Sequence, residues 1–321
     1  HNQFLRSYIV DPSMSSNGAP IGGTKGFLKI LNKLSREIRP DLIFVVWDGE
    51  GGSKKRKSLD KGYKLGRTPP RPRLNRYSRD MTAEQEAENK FWQQAKLIEL
   101  LNCTPTIQFL EPGVEADDIL AFIKALPVFD DWEKVLVSSD KDFFQVLDDK
   151  TVLYRPTQSE VLNQKRIVNK YKIHPNNFAL ARAIVGDKSD NSPGVPGIGL
   201  ATVAKNFSFL KEEKSYYVDD VVGHASASIV TSKLKVYEKI EQSEDIIRHN
   251  YKMMQLYSPL ISASLKNKIS EVVDNYRPEF NKTSLRKEMI REGFGEVSLS
   301  DLFENFNNTI SNFSLFFRDK L

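Results

Sequence analysis

The stretch Lys134-Val135-Leu136-Val137-Ser138-Ser139-Asp140-Lys141-Asp142 decides how this chain is read. A Val-Leu-Val centre followed at once by turn formers and two carboxylates is the pattern of a buried strand ending in polar groups. Upstream, Leu42-Ile43-Phe44-Val45-Val46-Trp47 has the same character and ends at Asp48. Each run follows a stretch of helical spacing, residues 27–38 before the first and 119–126 before the second. Strands alternating with helices predict an α/β fold with a parallel sheet and crossover helices. In such sheets functional groups collect beyond the carboxyl ends of the strands, where Asp48 and Asp140 fall.

Outward from these runs the character changes. Residues 51–80 open with Gly51-Gly52-Ser53 and carry Pro69, Pro70 and Pro72, which reads as a mobile or only partly helical segment. Residues 82–101 have the spacing of an amphipathic helix. Beyond 187 come turn residues and then short, lysine-rich helical segments without a convincing strand, which places a domain boundary near 187.

Charge is distributed unevenly. Between Lys54 and Arg79 stand eleven basic residues and one acid, Asp60, so a segment of +10 is attached to a body of −5 within a total of +5. A solvated face would account for such a run. Tyr63 and Tyr77 interleaved with the bases suit phosphate contacts plus base stacking. The single cysteine, Cys103, excludes an intramolecular disulfide and a cysteine-based zinc cluster, and four scattered histidines argue against zinc hydrolysis. No apolar run reaches the ~18 residues that span a bilayer. A cytoplasmic protein with no membrane partner is the expectation.

Four acidic clusters stand out: Asp48; Glu115, Asp117 and Asp118; Asp140 and Asp142; Asp187 and Asp190. Singly each has a plain explanation, since acids favour the first turn of a helix and Asp forms turns after strands. Gathered at one sheet edge they would repel unless cations held them. Hard divalent ions bound by oxygen, Mg²⁺ or Mn²⁺, are the natural solution, and two such ions ~4 Å apart can activate a water and stabilise the leaving oxygen of a phosphodiester.

Three motifs recur in order: Gly113-Val114-Glu115-Ala116-Asp117-Asp118, then Ser138-Ser139-Asp140-Lys141-Asp142-Phe143-Phe144-Gln145-Val146, then Gly186-Asp187-Lys188-Ser189-Asp190-Asn191 running on to Gly194-Val195-Pro196-Gly197-Ile198-Gly199. In them the chain resembles the 5′-nuclease (flap-endonuclease) family from its first residue to about 207, and the bacteriophage-type subgroup fits best. The resemblance implies a PIN-like parallel-sheet core over residues 1–186, with a basic helical arch at about 51–95. A helical DNA-binding region would follow over 187–321, with a helix–hairpin–helix (helix–three-turn–helix) element at 187–207.

It also implies roles. Asp48, Glu115 and Asp117 would hold a first Mg²⁺, and Asp118, Asp140, Asp142, Asp187 and Asp190 would hold or orient a second. Lys64 and Arg67 would neutralise the scissile phosphate. Lys54, Lys55, Arg56, Tyr63, Gly194, Gly197 and Gly199 would contact nucleic acid, the glycines by close backbone approach. A K⁺ ion is expected at the hairpin. Asn2 and Arg6 keep the family's spacing to a first catalytic aspartate that would lie two residues before His1, which makes Arg6 a site residue and suggests that upstream residues are missing.

The implied activity is 5′-3′ exonuclease and flap cleavage of branched or 5′-ended DNA and of RNA–DNA duplex, by a monomer, in replication or repair. A catalytically silent junction binder and a PIN-type ribonuclease are the alternatives. At the carboxyl end, Ile310, Phe313, Phe316 and Phe317 repeat the spacing of peptides that plug into sliding clamps, although a helix docked on the core is the plainer reading. A clamp or a single-strand-binding protein would be the partner.

Overall fold

The computed structural model describes residues 1–66, 81–294 and 299–318. Arg67 and Tyr77 lie outside these residues. In chain order the elements are α1 (Asn2–Val10), α2 (Gly22–Ile38), β1 (Phe44–Trp47), α3 (Lys54–Leu59), α4 (Ala83–Leu101), β2 (Ile107–Leu110) and α5 (Ala116–Lys124). Then follow β3 (Lys134–Val137), β4 (Thr151–Arg155), β5 (Glu160–Leu162), α6 (Gln164–Tyr171), α7 (Phe178–Val185), β6 (Gly186–Asp187), β7 (Ser192–Pro193) and α8 (Leu200–Asn206). The remainder is helical: α9 (Val218–Thr231), α10 (Lys235–Gln242), α11 (Glu244–Met254), α12 (Ala263–Asn275), α13 (Lys282–Arg291) and α14 (Leu299–Arg318). No helix among the described residues is long and apolar enough to cross a membrane.

The chain divides into two compact units, and neither is bounded at 187. The first comprises residues 1–48, the described part of 69–111, and 271–321; the second comprises 49–68 and 112–270. The packing does not divide at 187, because helices on both sides of 187 bury their apolar faces against one another.

In the first unit β1 pairs in parallel with β2, Phe44 opposite Ile107 and Trp47 opposite Leu110. Trp47 is fully buried, stacked on Phe27 at 5.9 Å with Phe4 edge-on at 6.2 Å. Its indole N–H donates to Gln108 Oε1 at 3.0 Å, so the largest core side chain leaves no polar atom unsatisfied. Helix α2 has no cap of its own. Buried Gln93 of α4 serves instead: its Oε1 accepts from the Gly23 and Thr24 N–H groups at 2.7 and 3.2 Å, and its Nε2 donates to the Pro20 carbonyl at 2.7 Å. The α4 start is closed by a capping box of Thr82 with Gln85. In α14, Phe313 is buried and packs edge-on against Tyr276 at 5.9 Å, so this phenylalanine of the terminal motif belongs to the core rather than to an exposed partner peptide.

In the second unit β3 pairs in parallel with β4, and β5 runs antiparallel on its other side. Each apolar run thus enters a parallel pair, as an α/β fold requires, with β1 and β3 in separately hydrogen-bonded sheets. Strand character is local, whereas partner choice depends on residues distant in sequence. The core here is built on Phe143, Phe144, Leu153, Ile167 and Phe178. Asn250 of α11 donates to the Ala183 and Pro193 carbonyls, both at 2.9 Å, tying α11 to α7 and to the β6–β7 hairpin.

Candidate active site

The second unit gathers its carboxylates by local rules. Glu115 stands at the N-cap position of α5 and Asp117 and Asp118 occupy its first turn, where the helix dipole favours anions. Beyond β3, the Asp140 N–H donates to Ser138 Oγ at 3.1 Å and the Asp142 N–H to Asp140 Oδ1 at 2.9 Å, a turn that presents both acids the same way. At the β6–β7 turn, Asp187 Oδ1 accepts from the Ser189 N–H and Oγ, each at 2.7 Å. Glu115, Asp117, Asp140, Asp142, Asp187 and Asp190 line a single pocket. The sequence-expected acids that the structure brings together are these six.

Two expected acids are placed otherwise. Asp118 is 1 % exposed and stands behind the pocket wall, held by Arg56 at 2.6 and 3.1 Å and by the Leu260 N–H at 3.0 Å. Asp48 follows β1 in the first unit, exposed to solvent, and Arg6 sits in α1 of the same unit.

The loop after α3 reaches the acids from the other side. The Lys64 N–H donates to the Asp190 carbonyl at 2.8 Å and Asn191 Nδ2 to the Gly62 carbonyl at 2.9 Å, which fastens residues 62–64 to the 187–191 turn. Lys64 adopts a left-handed backbone (φ 56°), its ammonium lies 4.9 Å over the Tyr63 ring, and it pairs with Glu115. The Tyr63 hydroxyl donates to Asp190 Oδ2 at 3.3 Å. Burial first, then Glu115 and Asp190, push the Tyr63 phenol well above its usual range, so it keeps its proton and remains a donor. Arg56 and Tyr63, both expected to contact nucleic acid, are each 5 % exposed and hydrogen-bonded to the acids. Lys54 and Lys55 do lie on the exposed face of α3, with Lys57 beside them.

Sequence reasoning missed Arg182 of α7. Its guanidinium Nη2 donates to Asp142 Oδ1 at 3.2 Å and also pairs with Asp187. A signal was present: Arg182 is the only charge in Phe-Ala-Leu-Ala-Arg-Ala-Ile-Val, and a charge inside a buried apolar helix must be paired. Burial, then Asp140, Asp187 and Asp190, push the Asp142 carboxyl up to about 7 against the pull of Arg182. Burial also works upward on Asp187, yet Ser189 and Arg182 override it and hold that carboxyl below the usual range.

The donor chemistry fits hard divalent ions, since the acids of the pocket offer oxygen alone and no His or Cys lines it. As arranged, no three His, Cys, Asp or Glu side chains among the described residues are drawn closely enough to hold an ion, and the basic groups Arg56, Lys64 and Arg182 stand against the carboxylates instead.

At the hairpin the glycines have differing reasons. A Cβ on Gly194 would stand 2.1 Å from the Val185 backbone, so that glycine is required by an internal crossing and not by an approaching ligand. Gly197 has φ 78° and Gly199 faces open space. The Pro196 carbonyl accepts from Lys239 Nζ at 2.9 Å.

Residues 1–172 match the family model of the 5′-3′ exonuclease N-terminal, resolvase-like domain. A 5′-3′ exonuclease of Aquifex aeolicus is 28% identical over 262 residues, covering 79% of this chain and 78% of its own. The thermostable DNA polymerase I of Thermus aquaticus is 32% identical over 192 residues, 60% of this chain but 21% of the polymerase. Among solved structures, the T5 5′-exonuclease with divalent zinc ions bound superposes with a TM-score of 0.61 at 20% identity, covering 78% of this chain and 90% of that one. The PIN-like nuclease fold is thereby shown, and the chain belongs to the 5′-3′ exonuclease family.

Proposed function

We propose that the chain is a divalent-metal-dependent, structure-specific nuclease that cleaves phosphodiesters at 5′ ends and flaps of DNA and of RNA–DNA duplex. The observation that carries this reading is the pocket itself: six carboxylates with Lys64 and Tyr63 closing over them. Such a surplus of negative charge repels a phosphodiester on its own and becomes productive with bound cations.

Mg²⁺, with Mn²⁺ as a substitute, would supply activation of a water and charge stabilisation for the leaving oxygen. Glu115, Asp117, Asp140, Asp142, Asp187 and Asp190 are the residues that would hold it. The assignment of Asp48 and Arg6 rests on motif spacing alone. Lys64, on exchanging Glu115 for substrate, would place its ammonium against a non-bridging phosphate oxygen, where negative charge grows in the transition state. Tyr63 keeps its proton and orients Asp190. Exposed Lys54, Lys55 and Lys57 would track the backbone electrostatically, and the hairpin around Gly197 and Gly199 would meet the duplex. Primer removal during replication, by a cytoplasmic monomer, is the setting this chemistry suits.

The test is cleavage of a 5′-flap DNA labelled at its 5′ end, in Mg²⁺ and in EDTA. Short labelled products in Mg²⁺ alone support the reading. Binding without products, at any Mg²⁺ concentration, would refute it.

A further inference from the structure

Arg56 joins four segments of the second unit. From α3 its Nη1 and Nη2 grip both oxygens of Asp118 at 2.6 and 3.1 Å, Nη1 also pairs with Glu115, and Nε donates to the Met253 carbonyl at the end of α11 at 2.9 Å. Through Asp118 Oδ1, which accepts from the Leu260 N–H at 3.0 Å, the same node holds the loop after α11. Every oxygen of Asp118 is thus committed, and the residue is 1 % exposed. A cation reaching Asp118 would have to displace a guanidinium from a buried, bidentate seat, which leaves an uncompensated charge behind.

Charge balance points the same way. Three acids at the start of α5, Glu115, Asp117 and Asp118, stand with two cations, Arg56 and Lys64, that pair with Glu115 and Asp118. Across the pocket, Asp140, Asp142, Asp187 and Asp190 are set against Arg182. The larger surplus of negative charge, four acids against one cation, lies on that second side.

We propose that Arg56 and Asp118 form a positioning pair: Asp118 orients Arg56, and Arg56 fixes Glu115 and the α3–Lys64 segment, so that Asp118 supports the site without ligating an ion. This rests on the metal-dependent reading above. The planar fork of Arg56 is what the geometry requires, because a lysine presents one ammonium and cannot span Asp118, Glu115 and the Met253 carbonyl together. Helix α3 carries the exposed lysines on its other face, so the node also sets where they stand.

The experiment measures Mn²⁺ bound to the intact protein, by electron paramagnetic resonance and calorimetry, together with kcat and KM on a 5′-flap substrate. Asp118→Asn should keep the wild-type ion stoichiometry and an affinity within about twofold, while kcat falls about tenfold or more with KM little changed; Asp140→Asn should lose affinity by about tenfold or more. Loss of an ion in Asp118→Asn, or an unchanged kcat, would overturn the proposal. Should Asp118→Asn fail to fold by circular dichroism, Arg56→Lys carries the same test: it should show retained ions with depressed kcat, and full activity in it would overturn the proposal. Absence of Mn²⁺ binding in the wild type is a separate failure, seen in the control, and would remove the metal reading and this inference together.

Discussion

Replacing Arg182 by Met removes the counter-charge of the second acid group while keeping most of the side-chain volume in α7. Arg182 donates to Asp142 and pairs with Asp187, and the side chains of these three residues are 13, 21 and 20 % exposed. A hydrogen bond to a charged group contributes about 1.5–3 kcal/mol, and two of them set an upper figure of about 3–6 kcal/mol. Partial exposure screens the pair, so a loss of about 2–3 kcal/mol is expected in metal-free buffer. A dication that binds the native acids should replace the missing charge, and ligand at a hundred times its dissociation constant stabilises by about 2.7 kcal/mol. Mg²⁺ should therefore stabilise Arg182→Met more than it stabilises the wild type. Urea unfolding followed by circular dichroism, in EDTA and in saturating Mg²⁺, gives both quantities. A variant as stable as the wild type in EDTA, or a deficit that Mg²⁺ leaves untouched, would refute the view of Arg182 as a resident counter-cation.

Four further outcomes follow from the structure. Lys64→Ala should lower kcat by more than it weakens substrate binding, whereas neutralising Lys54, Lys55 and Lys57 together should flatten the salt dependence of DNA binding by ~0.9 log–log units for each phosphate no longer neutralised; equal salt slopes would make those lysines a solvated face. Burial works upward on Asp148 but the Lys124 ammonium holds its carboxyl below the usual carboxylate range, so this stabilisation is present above pH ~4 and fades as the pH falls through the lowered value. Asp148→Asn should thus lose stability near neutrality and converge with the wild type in acid, and a constant difference across an acid titration of the unfolding midpoint would contradict this. Phe313→Ala should cost about 3–5 kcal/mol as a buried aromatic truncation, measured by urea unfolding, and a near-zero change would mean that the α14 end is not docked.

Local elements were legible because they depend on near neighbours. The run 42–47 became β1 at Phe44–Trp47, the run 134–139 became β3 at Lys134–Val137, and the helix read over 82–101 begins at Ala83 behind its Thr82 cap. The gathering of six of the expected acids in one pocket was legible as well, from their places after a strand, in turns and in a first helical turn. What the residues could not declare was which elements meet. Two strands of one character joined different sheets, the compact units cut across the composition change at 187, and Asp118, adjacent in sequence to Asp117, turned behind the wall while Asp117 lines the pocket.

The sequence by itself determined the strands that end at Trp47 and Val137, the helix that starts at Ala83, and the family, because each rests on residue type and short spacing. Only the tertiary structure decided that Arg56 faces inward onto Glu115 and Asp118, that Arg182 neutralises Asp142 and Asp187, and that the Lys64 backbone is fastened to Asp190. The physical reason is that a charge takes its meaning from its partners and its burial. Partners separated by 62 residues for Arg56 and Asp118, or 40 for Arg182 and Asp142, are chosen by packing and not by spacing along the chain.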